Sequence, residues 1–178
     1  MTLLNAELHI NVSILRENIC YLKTRIDKKS NFLAVVKANA YGHSLKKFVE
    51  KLDDCVDGYA LVRLDEALQV RDLSKKPILL MQGIYDDDEA LIAKKKGFMC
   101  VLHTQEQIRT YSRNLENKNI WLKVNTGMNR LGFSENVLTD LNLLNKKPSV
   151  LMSHLASSDD LYNPCLLYTS PSPRDGQI

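Results

Sequence analysis

No run of about 18 consecutive apolar residues occurs in the chain, so no membrane-spanning helix is expected. Cysteine is sparse and dispersed: Cys20, Cys55, Cys100 and Cys165 form no Cys-x-x-Cys pair. That spacing suits free thiols in a reducing cytoplasm and argues against disulfides or a zinc site. No histidine and glutamate stand at metal-ligand spacing, so no metal is expected. Neither Gly-x-Gly-x-x-Gly nor Gly-x-x-x-x-Gly-Lys-Ser/Thr follows any apolar run, which removes the two common nucleotide-binding loops. The net charge of +3 is small and scattered, without a basic stripe interleaved with aromatics, so nucleic acid is not an expected partner. The first residues carry no basic region followed by a long apolar one, so no secretion signal is expected.

What remains is an ordinary soluble composition. The chain has 178 residues, 44% hydrophobic and 25% charged, enough for one core. From Asn31 onward a unit repeats: a short apolar run, a polar turn, then an amphipathic helix. The strand candidates are Phe32–Lys37, Gly58–Val62, Ile78–Gln82, Phe98–Leu102, Ile120–Val124 and Ser149–Met152. Their spacing is that of βα units. Before them, alternation of Ala6, Leu8, Ile10 and Val12 predicts another short strand. Asn11 or Ser13 then caps a helix whose face is Leu15, Ile19, Leu22 and Ile26. Further helices are predicted from Ser44 with Leu45, Phe48, Val49 and Leu52, and between the acidic residues 86–88 and the basic residues 94–96. Thr104-x-x-Gln107 predicts a capping box before Ile108, Tyr111 and Leu115. A last helix face, Val137, Leu138, Leu141 and Leu144, follows Ser134. Continuously apolar strands alternating with helices predict a parallel sheet, either doubly wound or part of a (β/α)8 barrel. With the nucleotide loops missing, the barrel is preferred. Barrel chemistry sits at the C-terminal ends of strands. Lys37, Lys123 with Asn125, and His154 all fall at such ends.

The run Ala34-Val-Val-Lys-Ala-Asn-Ala-Tyr-Gly-His43 organises this pattern. An apolar strand delivers one lysine to its end, and a tight loop follows. A lysine buried there without a task would be costly; a desolvated amine is a usable nucleophile or Schiff-base former. The bland alternative is a lysine that reaches the wet rim of the sheet. The wording of the run resembles the pyridoxal-phosphate lysine motif of alanine racemases. That resemblance implies that Lys37 bonds covalently to the cofactor and that Tyr41 lies near its phosphate.

A second stretch, Trp121-Leu-Lys-Val-Asn-Thr-Gly-Met-Asn-Arg-Leu-Gly-Phe133, reads locally as a βα turn whose glycines permit positive φ. It resembles the family's Lys-x-Asp-Thr-Gly-Met-x-Arg-Leu-Gly motif. By position, Arg130 is then the arginine that reaches the cofactor phenolic oxygen and the substrate carboxylate. Its planar fork suits a carboxylate. Lys123 matches the lysine that many members carry as a carbamate. Asn125 stands where the pattern has Asp, which removes one negative charge. A third stretch, Met152-Ser-His-Leu-Ala, resembles the family's Ser/Thr-His-Phe-Ala motif and places His154 beside the cofactor ring; by itself it reads as a rim histidine. His9, His43 and His103 read as structural.

The resemblance runs from about residue 5 to Pro164 and covers the first half of the family's length. It implies an α/β fold, an incomplete (β/α)8 barrel of about six βα units without the C-terminal β domain. Residues 1–163 would be the N-terminal part of that barrel. Residues 164–178, with Pro171 and Pro173, read as a foreign, disordered tail. The implied activity is interconversion of L- and D-alanine with pyridoxal 5'-phosphate, supplying D-alanine for the cell wall, in a cytoplasmic homodimer. The second base, a tyrosine, and the rest of the phosphate cradle belong to the missing half, so the chain is expected to be inactive by itself. The rival expectations are a racemase of other or broader amino-acid range, a non-catalytic pyridoxal-phosphate-binding barrel, and a scaffold fragment without cofactor.

Overall fold

A computed structural model of the chain describes residues 7–114, 120–134 and 149–155. It divides into two compact units, one of residues Met1–Met81 with Lys96–Phe98, the other of Gln82–Lys95 with Met99–Ile178.

The first unit begins with helix α1 (Val12–Thr24), capped by Asn11, whose side-chain oxygen accepts from Ile14 N at 3.1 Å. Strand β1 (Leu33–Val35) leads into a helical turn α2 (Lys37–Tyr41), then helix α3 (Leu45–Leu52) and the 3-10 turn Asp53–Cys55. Strand β2 (Gly58–Leu61), helix α4 (Leu64–Leu73) and strand β3 (Ile78–Leu80) complete it. The strands are parallel and adjacent in chain order, with Ala34 opposite Tyr59 and Ala60 opposite Leu79. Every residue of β2 and β3 is buried, as a parallel strand covered on both faces requires. Helix α3 contributes Leu45, Val49 and Leu52 to the same core.

The second unit contains helix α5 (Asp87–Lys96), strand β4 (Met99–Leu102), helix α6 (Gln105–Asn114), and strands β5 (Ile120–Lys123) and β6 (Val150–Met152). These strands are also parallel and in chain order, with Val101 opposite Trp121 and Leu122 opposite Leu151. Its core holds Ile84, Cys100, Val101, Leu102, Ile120, Leu122 and Phe133. Burial pushes the Cys100 thiol up to about 12, so it is an inert core group. The Thr104 cap is present: its hydroxyl accepts from Gln107 N at 3.2 Å, while the Gln107 side chain accepts from His103 N. Asp86 caps α5 by accepting from Glu89 N at 2.8 Å.

All six predicted strands form, each shortened by one to three residues. Two expectations at the N-terminus are corrected. Residues 7–11 are exposed and belong to no strand, because no described neighbour offers them a ladder and Asn11 starts the helix instead. Helix α1 buries only Ile19 of its expected apolar face; Leu22 and Ile26 remain exposed. Among the described residues α1 is held by charge. Arg16 reaches Asp54 at 2.5 Å, and Lys23 reaches Asp57 at 2.9 Å. The expected helix face at Val137, Leu138, Leu141 and Leu144, the end of α6 at Leu115, and the tail from residue 164 lie outside the described residues.

Candidate active site

The first unit places Lys37 two residues past β1, half-buried rather than enclosed. Val36 N still donates to Ala60 O in the sheet at 3.0 Å, so the lysine begins where the ladder ends. The predicted tight loop is a left-handed turn: Ala38, Asn39, Ala40 and Tyr41 all have φ between 52° and 54°. Left-handed backbone costs an L-residue roughly 1–2 kcal/mol each, so four in succession form a large local strain. The bonds that hold it can be traced. Ala40 N donates to Val36 O, and Gly42 N to Ala38 O, each at 2.9 Å. Asn39 N donates to Glu66 Oε1 at 2.8 Å, and Asn39 Oδ1 accepts from Leu45 N at 2.8 Å. Gly42 ends the turn at φ 84°, and Ser44 caps α3. His43 Nδ1 donates to the Ala40 carbonyl at 3.0 Å, which agrees with its structural reading. The turn sends the Tyr41 ring back toward the lysine: Lys37 Nζ lies 5.9 Å from the ring centroid. Tyr41 itself is 58% exposed.

The second unit places the other candidates together. Lys123 is the last residue of β5 and is 5% exposed. Burial, and then the charge of Arg130, hold its amine below the usual lysine range. Phe133 N donates to Lys123 O and Asn125 N to Phe133 O, each at 2.9 Å, which staples the loop 124–133 at its base. Gly132 makes this possible: its φ is +122°, and a Cβ there would stand 2.7 Å from Asn125 N. At the tip, Asn125 Oδ1 accepts from Gly127 N at 3.2 Å and Asn129 N at 3.0 Å. Its Nδ2 donates to Asn129 Oδ1 at 2.9 Å. The amide at this position therefore makes a bond that a carboxylate could not, since a carboxylate has no donor. Asn129 takes φ +55°, which asparagine tolerates. Arg130 Nη2 donates to His154 Nδ1 at 3.3 Å, with both side chains exposed. A guanidinium can only donate, so the imidazole nitrogen is the acceptor in this contact.

Lys37 and Tyr41 are thus neighbours in one unit, and Lys123, Arg130 and His154 in the other. Sequence reasoning missed Asn39, Glu66 and Asn129. Asn39 and Asn129 had a signal, since asparagine visits left-handed backbone more readily than other non-glycine residues. Glu66 had none, because it acts on a segment 27 residues earlier in the chain. Chemically, the first unit offers an amine at a strand end beside a phenol, and the second a guanidinium bonded to an imidazole. Among the described residues no three His, Cys, Asp or Glu side chains converge as metal ligands.

Residues 10–165 match the family model for the alanine racemase N-terminal domain. The alanine racemase of Mannheimia succiniciproducens is 39% identical over 163 residues, covering 87% of this chain and 45% of that protein. The solved biosynthetic alanine racemase of Pseudomonas aeruginosa superposes with a TM-score of 0.75 at 33% identity, over 86% of this chain and 45% of that one. That of Bartonella henselae, which carries covalently bound pyridoxal phosphate, superposes with a TM-score of 0.74 at 25% identity, over 86% and 48% of the two chains. The chain spans about half the length of the relatives it matches. In each unit the strands run parallel and in chain order, and β1, β5 and β6 carry candidate residues at or beyond their C-terminal ends, the strand pattern of a (β/α)8 barrel. By its matched residues and its fold, the chain belongs to the alanine racemase family and corresponds to that family's N-terminal domain.

Proposed function

We propose that this chain supplies the cofactor-holding part of an alanine racemase, which interconverts L- and D-alanine with pyridoxal 5'-phosphate. The observation that carries this reading is the Lys37 amine, set at the end of β1 on a strained turn with the Tyr41 ring beside it. Pyridoxal phosphate, when bound, supplies an electron sink that acidifies the substrate Cα–H. Lys37 would hold that cofactor covalently and, once displaced by the substrate amine, move a proton at one face of Cα. Tyr41 would bind the cofactor phosphate through its phenol. Arg130 would orient the substrate carboxylate with its fork, which selects the bond to be broken. The ring of His154, a bonded neighbour of Arg130, would lie against the cofactor ring.

Lys123 has the setting that carbamate formation needs, because its burial and Arg130 favour the uncharged amine. Adding CO2 to the free amine would form the N–C bond, release one proton and leave an anion facing Arg130; starting from the ammonium form, two protons leave. Mass spectrometry of the chain under CO2, after trapping, would show the adduct on Lys123, and its absence there would remove the idea. In this reading the racemase is a cytoplasmic homodimer, and the second base comes from the neighbouring subunit.

The test is covalent trapping. The 178-residue chain is incubated with pyridoxal phosphate, reduced with borohydride and mapped by peptide. A single label on Lys37 is expected. Labels scattered over exposed lysines, with Lys37 bare, would refute the assignment. A panel of amino acids given to the full-length enzyme then separates alanine from other substrates.

A further inference from the structure

The left-handed turn raises a question that the proposed function does not answer: what keeps the root of the Lys37 side chain in place? On one side it is anchored by the sheet, through Val36 N to Ala60 O. On the other side the anchor is Glu66. Its Oε1 accepts from Asn39 N at 2.8 Å, a charge-assisted bond to the second residue of the strained run. Glu66 is the third residue of α4, after Arg63 as N-cap. A glutamate there ordinarily turns back to the N-cap amide of its own helix. Here the carboxylate reaches across to another segment. Its second oxygen, Oε2, is buried and has no hydrogen-bond partner among the described residues. A buried carboxylate oxygen left unpaired is costly. The placement therefore serves the bond that Oε1 makes.

We propose that Glu66 is a positioning residue for Lys37, holding Asn39 N–H so that the left-handed turn persists and the lysine amine leaves β1 in one direction. This rests on the reading of Lys37 as the cofactor lysine. Asn39 joins the two anchors, because its side chain also accepts from Leu45 N and ties the turn to α3. Without Glu66 the turn keeps its internal bonds and the Asn39 side-chain tie to Leu45 N but loses the partner of the Asn39 amide, and its strained residues relax toward the right-handed region.

The experiment compares the whole chain with Glu66→Ala, Glu66→Gln and Glu66→Asp. Gln retains an oxygen for the Asn39 amide. Asp keeps the charge at the helix N-terminus but is one methylene too short. Three quantities are read below the melting temperature of the weakest variant: amide hydrogen exchange at residues 38–42, the rate of borohydride-trapped pyridoxal phosphate on Lys37, and the melting temperature. The Ala and Asp variants are expected to exchange the Asn39 amide about tenfold faster and to label Lys37 about tenfold more slowly, with Gln restoring both. A lower melting temperature with unchanged exchange and labelling would overturn the proposal and leave Glu66 a purely structural group. Equal loss in Gln and Ala would overturn it too. If the parent chain fails to label Lys37, the cofactor reading falls; exchange at Asn39 then decides by itself whether Glu66 holds the turn.

Discussion

The loop after β1 and the loop after β5 each present a cationic side chain, and they are built in opposite ways. The first is a strained turn whose main-chain amides are held by preceding carbonyls and by Glu66, with the Asn39 side chain accepting from Leu45 N at the start of α3. The second is held by the asparagine side chains of Asn125 and Asn129 and by one glycine, and its arginine is exposed. The difference fits the work proposed for each. A residue that forms a covalent bond and then moves a proton needs its origin held to fractions of an ångström. A guanidinium on a long, flexible stem can reach its carboxylate from a looser base.

The largest effect expected is that of Lys37→Ala. It should abolish covalent trapping of pyridoxal phosphate in peptide maps while leaving the melting temperature close to the parent's, because a half-buried side chain is removed at a strand end. Persistent labelling near the motif would move the chemistry to another lysine.

The same substitution in both loops tests the contrast directly. Gly132→Ala brings a Cβ within 2.7 Å of Asn125 N and 2.9 Å of Val124 C at φ +122°. That backbone has nowhere to move, and a loss of about 3 kcal/mol is expected in denaturant unfolding. Gly42→Ala meets no atom within 4 Å at φ +84°. Only the left-handed penalty applies, about 1 kcal/mol. Equal losses would show that the two loops are not built as described.

Acid should act first on the attachment of α1. Asp57 is held below the usual carboxylate range by Lys23 and then by Phe32 N–H, which donates at 2.7 Å. Asp54 is held at about 2 by Arg16. For a carboxylate whose folded pKa is depressed, the unfolded chain binds more protons in the window between the two values. Its contribution is therefore complete above the ordinary carboxylate pKa and is lost as pH falls through the folded value. Asp57→Asn should flatten the fall in stability below about pH 4. An unchanged acid slope would assign the fall to other carboxylates.

The smallest effect concerns the tip of the second loop. Asn125→Asp keeps the acceptor for Gly127 N and Asn129 N but loses the donor to Asn129 Oδ1. A loss of about 1 kcal/mol is expected, with no change in Lys37 trapping. A change in trapping would mean that this loop's geometry reaches the lysine.

Much of the molecule was legible before its structure was known. The six strands, the caps at Asn11, Ser44 and Thr104, the acidic start of α5, and the positions of Lys37, Lys123 and His154 at strand ends follow from local rules: apolar runs, polar caps and breaks act over a few residues of chain. The N-terminal alternation of Leu8, Ile10 and Val12 misled because a strand needs a partner, and periodicity carries no information about one. The face of α1 misled for the same reason, since a helical stripe marks what could be buried and not what covers it.

By itself the sequence determined which chemical groups the chain carries and at which strand ends they emerge. The tertiary structure decided how they are held. Four consecutive left-handed residues at Ala38–Tyr41 violate every local preference except that of Asn39. Besides the turn's own main-chain bonds, Glu66, 27 residues later in the chain, accepts the Asn39 amide, and Leu45 N donates to the Asn39 side chain. Strain of that size cannot be read from the residues that bear it, because the groups that offset it come from elsewhere in the fold.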